Sequence, residues 1–510
     1  MKKIFTLILS AFIILVSCDD ALNVVSKNDQ TYSNSFKNEQ DLNAVMIQIH
    51  RFINMYYADQ NPFLTVGFIV DETDYSDGLK NWNPKPVIDH PGIGWKGFYD
   101  IIFQSNLLLD NVHRVTKISE ERKNFYVGQA HFAKGLAYFE LARRWGDCII
   151  TKNSIAISPY ANSSAVTVLE EAVSSSQKAF ELLSNFEKLK NVSGAAITAK
   201  QYGSKGACAA LLAHIWAWKG SMIDLYGYTG NSKECYTQSV SWSNKIIKKE
   251  VGDYELLSTS EELCNYMSDP AKLNPEAIFD ITFDRHASTN SITACPGKYL
   301  ITWPVNKLQN SGDIVNIEFR TYNSTIEKLY SDPEDQRRKA YFYNFDELKD
   351  ENGDKGFAYI YKWRNGIYQT DAWEASGQRF QSLNANYNYW RLADIYLLRA
   401  ECNLKLGNSA IATEDLNTIR NRAGAQSYPS LGESDLKYAI FAERQKELFG
   451  EGHRYYDIVR NNYIKEELQG NFKKLTIDDI KQGALYLPIG EDAFKLNDVI
   501  RQNIYWSKYL

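Results

Sequence analysis

One stretch near the C-terminus constrains the fold more than any other: Tyr389 to Gly424, YWRLADIYLLRAECNLKLGNSAIATEDLNTIRNRAG. Leu392, Ile395, Leu398, Cys402 and Leu406 recur at three- and four-residue intervals and so fall on one stripe of an α-helix. After the Gly407-Asn408-Ser409 turn, Ala412, Leu416, Ile419 and Ala423 form a second stripe. Two amphipathic helices joined by a glycine turn make an αα-hairpin, and each must bury its stripe against other apolar surface.

The Leu-Gly before the turn and the small residues on both helices resemble a tetratricopeptide unit. Comparable spacing recurs at Ala130, Ala133, Ala137 and at Ala207, Ala210, Ala213, so several hairpins are expected. Periodicity predicts helices over 41–57, 95–116, 122–145, 165–187, 201–221 and 233–249, with Gly146 just past the end of the third. From 251 to 388 the pattern changes. Proline and glycine punctuate it, Trp and Tyr are frequent, and Phe279-Asp280-Ile281-Thr282-Phe283 alternates like a strand. The expected class is mostly α: a tetratricopeptide-like helical hairpin scaffold with a packed loop-rich region containing short strands.

At the other end, Met1-Lys2-Lys3 is a short basic start. The apolar run Ile4 to Val16 suits a signal peptide and is shorter than the ~20 residues of a membrane span. It ends in the lipobox Leu15-Val16-Ser17-Cys18, so residues 1–17 are expected to be removed and Cys18 to carry a lipid. Residues 18–40 then form the lipidated cysteine and a polar, flexible spacer. At about 0.8 kcal/mol per buried methylene, two or three acyl chains hold a protein at a membrane without a transmembrane helix. A net charge of -5 and the lack of a basic stripe argue against a nucleic-acid partner. The cysteines beyond Cys18 show no C-x-x-C pairing, and Cys208 and Cys402 sit on apolar helical patterns that predict buried free thiols. No histidines have zinc-ligand spacing.

Several blocks carry a family resemblance in order along the chain. They are Trp95 to Val112 (WKGFYDIIFQSNLLLDNV), Gly128 to Asp147 (GQAHFAKGLAYFELARRWGD), Tyr389 to Gly424, Glu443 to Arg460 (ERQKELFGEGHRYYDIVR), and Leu485-Tyr486-Leu487-Pro488-Ile489 with Asn503-Ile504-Tyr505. Together they resemble the SusD/RagB family of Bacteroidetes outer-membrane nutrient-binding lipoproteins. Lys134 stands where the family usually has arginine, keeping the charge but weakening bidentate pairing. Gly490 and Ile504 replace usual prolines. The resemblance implies one compact body, divided into an N-terminal helical region (41–250), a loop-rich, aromatic-rich region (251–388) and a C-terminal region (389–510). It also implies a glycan ligand, captured at the cell exterior by an outer-membrane, lipid-anchored protein. The ligand is delivered to a SusC-like TonB-dependent transporter, over which the protein sits as a lid. Peptide or glycopeptide capture, and a tetratricopeptide-type scaffold binding only protein, are the alternatives.

Sugar capture needs flat apolar platforms for pyranose C–H faces and short polar groups for hydroxyls. Three loops supply both. The first contains Tyr75, Asp77, Asn81, Trp82 and Asn83; the second Tyr299 and Trp303; the third Arg364, Tyr368 and Trp373. Trp95, Trp145 and Trp390 lie on helical patterns and are expected to pack. Glu443, Glu447, Glu451, His453 and Asp457 crowd together, but Arg444, Arg454 and Arg460 interleave them at helical spacing, which predicts salt-bridged clamping instead of acid–base catalysis. The Asp71-Glu72-Asp74-Asp77 loop is the one candidate for a structural calcium ion. No other cofactor and no enzymatic activity is expected.

Overall fold

Serine caps begin three of the long helices: the hydroxyls of Ser119, Ser164 and Ser204 accept the backbone N–H of Arg122, Thr167 and Ala207. In the computed structural model residues 35–510 are described, apart from 59–69, 71, 73–77, 91–93, 156–157, 283–299, 308–319, 350–355, 374–376, 431 and 496. The principal helices are α1 (Glu39–Ala58), α2 (Lys96–Asn111), α3 (Glu120–Trp145), α4 (Ala165–Leu182), α5 (Lys205–Tyr226), α6 (Ser232–Ile247), α7 (Leu392–Lys405), α8 (Ser409–Arg422), α9 (Leu436–Glu447) and α10 (Arg454–Asn461). Periodicity therefore located α1 to α8 with ends within about five residues, whereas it did not assign α9 and α10.

Successive helices pack on one another: α1 on α2, α3 on α4, α5 on α6 and α7 on α8, with α4 against α5 and α6 against α7. This stack of antiparallel pairs is the tetratricopeptide-like scaffold. Small residues let it close. A Cβ on Gly135 of α3 would lie 2.4 Å from the Ser176 hydroxyl of α4. Lys134, beside it, pairs with Glu171 of α4 at 3.0 Å, so lysine serves this contact through one point charge.

Helix α7 is buried on two faces, where its sequence suggested one stripe. Leu398 and Cys402 pack with Ala213, Ala217 and Tyr236 of α5 and α6. Ala393, Leu397 and Ala400 pack with Ala412, Leu416 and Ile419 of α8 and with Ala439 and Ile440 of α9. Cys148, Cys208, Cys235, Cys264 and Cys402 are free and buried, as the apolar surroundings of two of them predicted.

Short antiparallel strands fill the loop-rich region: β1 (Ala277–Ile281), β2 (Gly366–Thr370), β3 (Gln378–Leu383) and β4 (Tyr387–Arg391). Strands β1 and β4 pair, with Asp280 opposite Asn388, and β4 runs directly into α7. Strands β2 and β3 form a hairpin in which Tyr368 faces Phe380 and Gln369 faces Arg379.

The C-terminal acidic cluster is a clamp. Glu447 pairs with Arg391 at 2.6 Å, with Arg337 at 3.2 Å and with Arg422. Glu451 pairs with Lys362 at 2.6 Å and Arg391 at 2.9 Å, and Glu443 with Arg337 at 2.6 Å and Arg420 at 2.9 Å. Asp457 pairs with Arg444 and Arg460. Burial alone would raise the Glu447 carboxyl, but Arg422, Arg391 and Arg337 hold it well below the usual carboxylate range. Through these pairs the cluster joins the C-terminal helices to the loop region.

Candidate functional site

The predicted loops separate into two groups. The first is held against the C-terminal segment. Trp82 is 1% exposed. Its indole stacks on Phe472 with centroids 4.7 Å apart, lies edge-on to Trp506 at 5.7 Å, and donates from Nε1 to the Ala484 carbonyl at 2.8 Å. Both faces and the polar edge are occupied by protein, so the expectation that Trp82 is a sugar platform is corrected: it is a core residue. Its neighbours are more accessible. Asn81 is half-buried, and its carbonyl accepts the Asn471 N–H at 2.9 Å. Asn83 is exposed, its Oδ1 taking the Asn471 amide at 3.1 Å. Tyr75, Asp77 and Tyr299 lie outside the described residues, as do Cys18 and the Asp71 and Asp74 carboxylates.

The second and third loops are brought together. The Tyr368 hydroxyl on β2 donates to the Val305 carbonyl, two residues beyond Trp303. From the same segment the Lys307 ammonium sits 3.9 Å from the Tyr368 ring centroid and donates to Gln378 Oε1 on β3. Tyr368, Phe380 and Gln378 share one face of the hairpin because side chains alternate along each strand. Trp303 is half-buried, and Tyr368, also half-buried, has its hydroxyl pushed up by burial. Trp373, in the β2–β3 connection, is 97% exposed. Its backbone N–H is taken by Asp371 Oδ1 at 3.0 Å, which fixes the chain while leaving the indole free in water. An indole this exposed has no structural role in the described fold, whereas both its faces are open to a ligand.

Arg364 is not available to a ligand as its sequence position suggested. Its guanidinium is bidentate to Glu261, donates to the Tyr361 carbonyl at 3.0 Å and the Ala340 carbonyl at 2.7 Å, and stacks over the Tyr361 ring at 4.5 Å. These bonds hold the Glu261 carboxyl below its ordinary value. Arginine in a loop beside aromatics reads equally as ligand partner or anchor; here every donor direction is already filled by protein. Lys307, Gln378 and Phe380 were missed by sequence reasoning. The alternation of Gln378-Arg379-Phe380 opposite Tyr368 is the signal that would have found the latter two.

Trp95, Trp145 and Trp390 are buried, as expected of packing residues. Trp95 and Tyr99 border a cleft of about 500 Å³ with His90, Lys96, Glu491 and Asp492. There Tyr99 is committed to the backbone of Ile149, accepting its N–H at 2.8 Å and donating to its carbonyl at 3.1 Å. Glu72, the described member of the proposed calcium loop, accepts the Gly450 N–H at 3.2 Å and is buried. Among the described residues no group of three His, Cys, Asp or Glu side chains could hold a metal ion, and no helix is long and apolar enough to cross a membrane.

A stack of helical hairpins bearing a loop that presents the exposed Trp373 indole defines a helical scaffold with a loop-borne aromatic surface. Comparison with known proteins places it. Residues 308–506 match the model of the SusD family, and residues 22–216 match a model described as starch-binding associating with outer membrane. The chain is 23% identical over 444 residues to SusD-like protein P25 of Formosa agariphila, covering 80% of this chain and 78% of that protein. It is 23% identical over 507 residues to SusD-like protein P38 of the same organism, covering 93% and 94%. A crystal structure of a SusD homolog from Bacteroides thetaiotaomicron superposes with a TM-score of 0.74 at 23% identity, covering 92% of this chain and 98% of that one. Bacteroides fragilis NanU superposes with a TM-score of 0.70 at 20% identity, covering 93% and 99%. The chain belongs to the SusD/RagB family.

Proposed function

We propose that this protein is a cell-surface lipoprotein that captures an oligosaccharide or polysaccharide and delivers it to a SusC-like TonB-dependent transporter, with no chemistry of its own. The observation that carries this reading is the fully exposed Trp373 in the connection of the hairpin whose Tyr368 bonds to the segment that follows Trp303. A pyranose ring stacked on an indole covers apolar C–H surface at little conformational cost, because the platform is already rigid or already in place. Gln378, exposed on the same hairpin, is suited to pair with hydroxyls that stacking removes from water. Tyr75, Asp77 and Tyr299 are proposed as further contacts. The outer-membrane description of the matched family model supports the location, and Cys18 is the proposed lipid attachment. Tethering beside a pore raises the effective ligand concentration at its mouth.

The test is a polysaccharide-binding screen of residues 18–510 carrying Cys18→Ser. Binding to at least one glycan, weakened by Trp373→Ala, supports the reading; binding to none, or release of reducing ends from a bound polysaccharide, overturns it. Co-purification of the lipidated protein with a barrel-sized partner from membranes tests delivery.

A further inference from the structure

Resting on the capture role proposed above, we infer that the saccharide bound at this surface is anionic, carrying a carboxylate or a sulfate ester, and that Lys307 selects it. Three observations meet at this residue. Its backbone has φ +59, a left-handed conformation that L-residues avoid at roughly 1–2 kcal/mol and that persists where the surroundings hold it. Its ammonium sits over the Tyr368 ring at 3.9 Å, with one proton donated to Gln378. An ammonium has three donors, so this arrangement leaves donors to spare on an exposed side chain.

Three other cations of the loop region are paired within the protein: Arg338 with Asp346, Lys362 with Glu451 and Arg364 with Glu261. Lys307 has no carboxylate partner among the described residues. The hairpin's Asp371 turns one carboxylate oxygen to the Trp373 N–H. Arg379, opposite Gln369, stands on the other face from Tyr368 and Gln378 and so does not share this position. The hairpin therefore carries the exposed Trp373 indole and, on the face of Tyr368 and Gln378, an oriented ammonium with no carboxylate partner among the described residues. A neutral sugar would use the indole and leave the charge idle. An acidic sugar uses both, through a charge-assisted hydrogen bond from Nζ to the anionic oxygen.

The experiment titrates residues 18–510 with Cys18→Ser against neutral glucans, mannans, xylans and galactans, and against polygalacturonate, alginate, dextran sulfate and κ-carrageenan. The wild type, Lys307→Gln and Lys307→Arg are compared at 50 and 500 mM NaCl, with thermal unfolding verifying that the variants fold. The expected result is binding to an anionic glycan that falls at least tenfold in Lys307→Gln, is largely kept in Lys307→Arg and weakens at high salt. Preference for polygalacturonate or alginate identifies the carboxylate, and preference for dextran sulfate or κ-carrageenan the sulfate. Binding confined to neutral glycans, or anionic binding unchanged in Lys307→Gln, overturns the inference and leaves glycan capture standing. Binding to no glycan overturns both.

Discussion

The Trp82 indole donates its N–H to the carbonyl of Ala484, 402 residues further along the chain, at 2.8 Å. This contact seats the N-terminal aromatic loop on the C-terminal segment and closes a cluster with Tyr455, Phe472 and Trp506. It also settles what kind of residue Trp82 is.

Replacing Trp82 should therefore act on stability. Trp82→Ala removes a fully buried indole and is expected to cost about 3–5 kcal/mol, read as a lower denaturant midpoint. Trp82→Phe keeps most of the apolar contact and strands the Ala484 carbonyl, with an expected loss of about 1–3 kcal/mol. Glycan affinity measured on the folded fraction should stay within a factor of two for Trp82→Phe. A selective loss of binding at unchanged stability would show that the ring touches ligand after all.

The scaffold was legible because its signals are local. Helix periodicity, serine caps and glycine turns act within a few residues, and the helices and the α7–α8 hairpin follow from them. That the cluster is a clamp was legible, but its partners only in part: Asp457 pairs with the interleaved Arg444 and Arg460, whereas Glu443, Glu447 and Glu451 pair with Arg337, Lys362, Arg391, Arg420 and Arg422 from distant segments. The site was not. Trp82 sits in Asn-Trp-Asn-Pro and Trp373 in Asp-Ala-Trp-Glu, both polar loop contexts, yet one is 1% exposed and the other 97%. What separates them is whether a distant segment covers the ring, and Phe472 and Ala484 do so for Trp82. Lys307 carried no signal of its own, because its importance comes from the register that sets Tyr368 and Gln378 beside it.

Trp373→Ala should be the mirror image of the Trp82 substitutions. The exposed indole contributes little to folding, so stability should change by no more than about 0.5 kcal/mol. Loss of one stacking platform should weaken glycan binding about tenfold or more, by calorimetry or affinity electrophoresis. Unchanged affinity for every glycan that the wild type binds would remove Trp373 from the site.

Glu447 faces Arg391, Arg422 and Arg337 inside the protein. Glu447→Gln keeps the shape and removes the charge, leaving three buried guanidinium groups with fewer counter-charges: Arg391 keeps Glu276 and Glu451, Arg337 keeps Asp335 and Glu443, and Arg422 keeps only Glu276. The expected loss is about 3–5 kcal/mol by chemical denaturation, with no effect on sugar affinity in the folded fraction. Loss of less than about 1 kcal/mol would mean that water reaches this cluster.

The pH dependence of stability should be set first by histidines. Burial lowers His50, His131 and His453 from 6.5 to about 4 each, and neither ring nitrogen of His50 has a hydrogen-bond partner. In the unfolded chain these rings take up protons below pH 6.5, while the folded protein holds them neutral down to about pH 4. The unfolded state thus binds more protons across this window, and stability falls as the pH drops through it, by at most about 1.4 kcal/mol per pH unit for each histidine. Carboxylates with lowered values, Glu447 and Glu433 (about 2) among them, add their loss only below about pH 4.5. Asp280, raised by burial to about 7, takes up its proton in the folded state first and offsets about one histidine's share, so denaturant midpoints should decline below about pH 6.5 by the remaining histidines' share. His50→Leu, placed between apolar neighbours and the Tyr202 ring 4.2 Å away, should make that decline shallower by about one histidine's share. A midpoint flat from pH 6.5 to pH 5, or a slope unaltered in His50→Leu, would show that these rings accept protons without disturbing the fold.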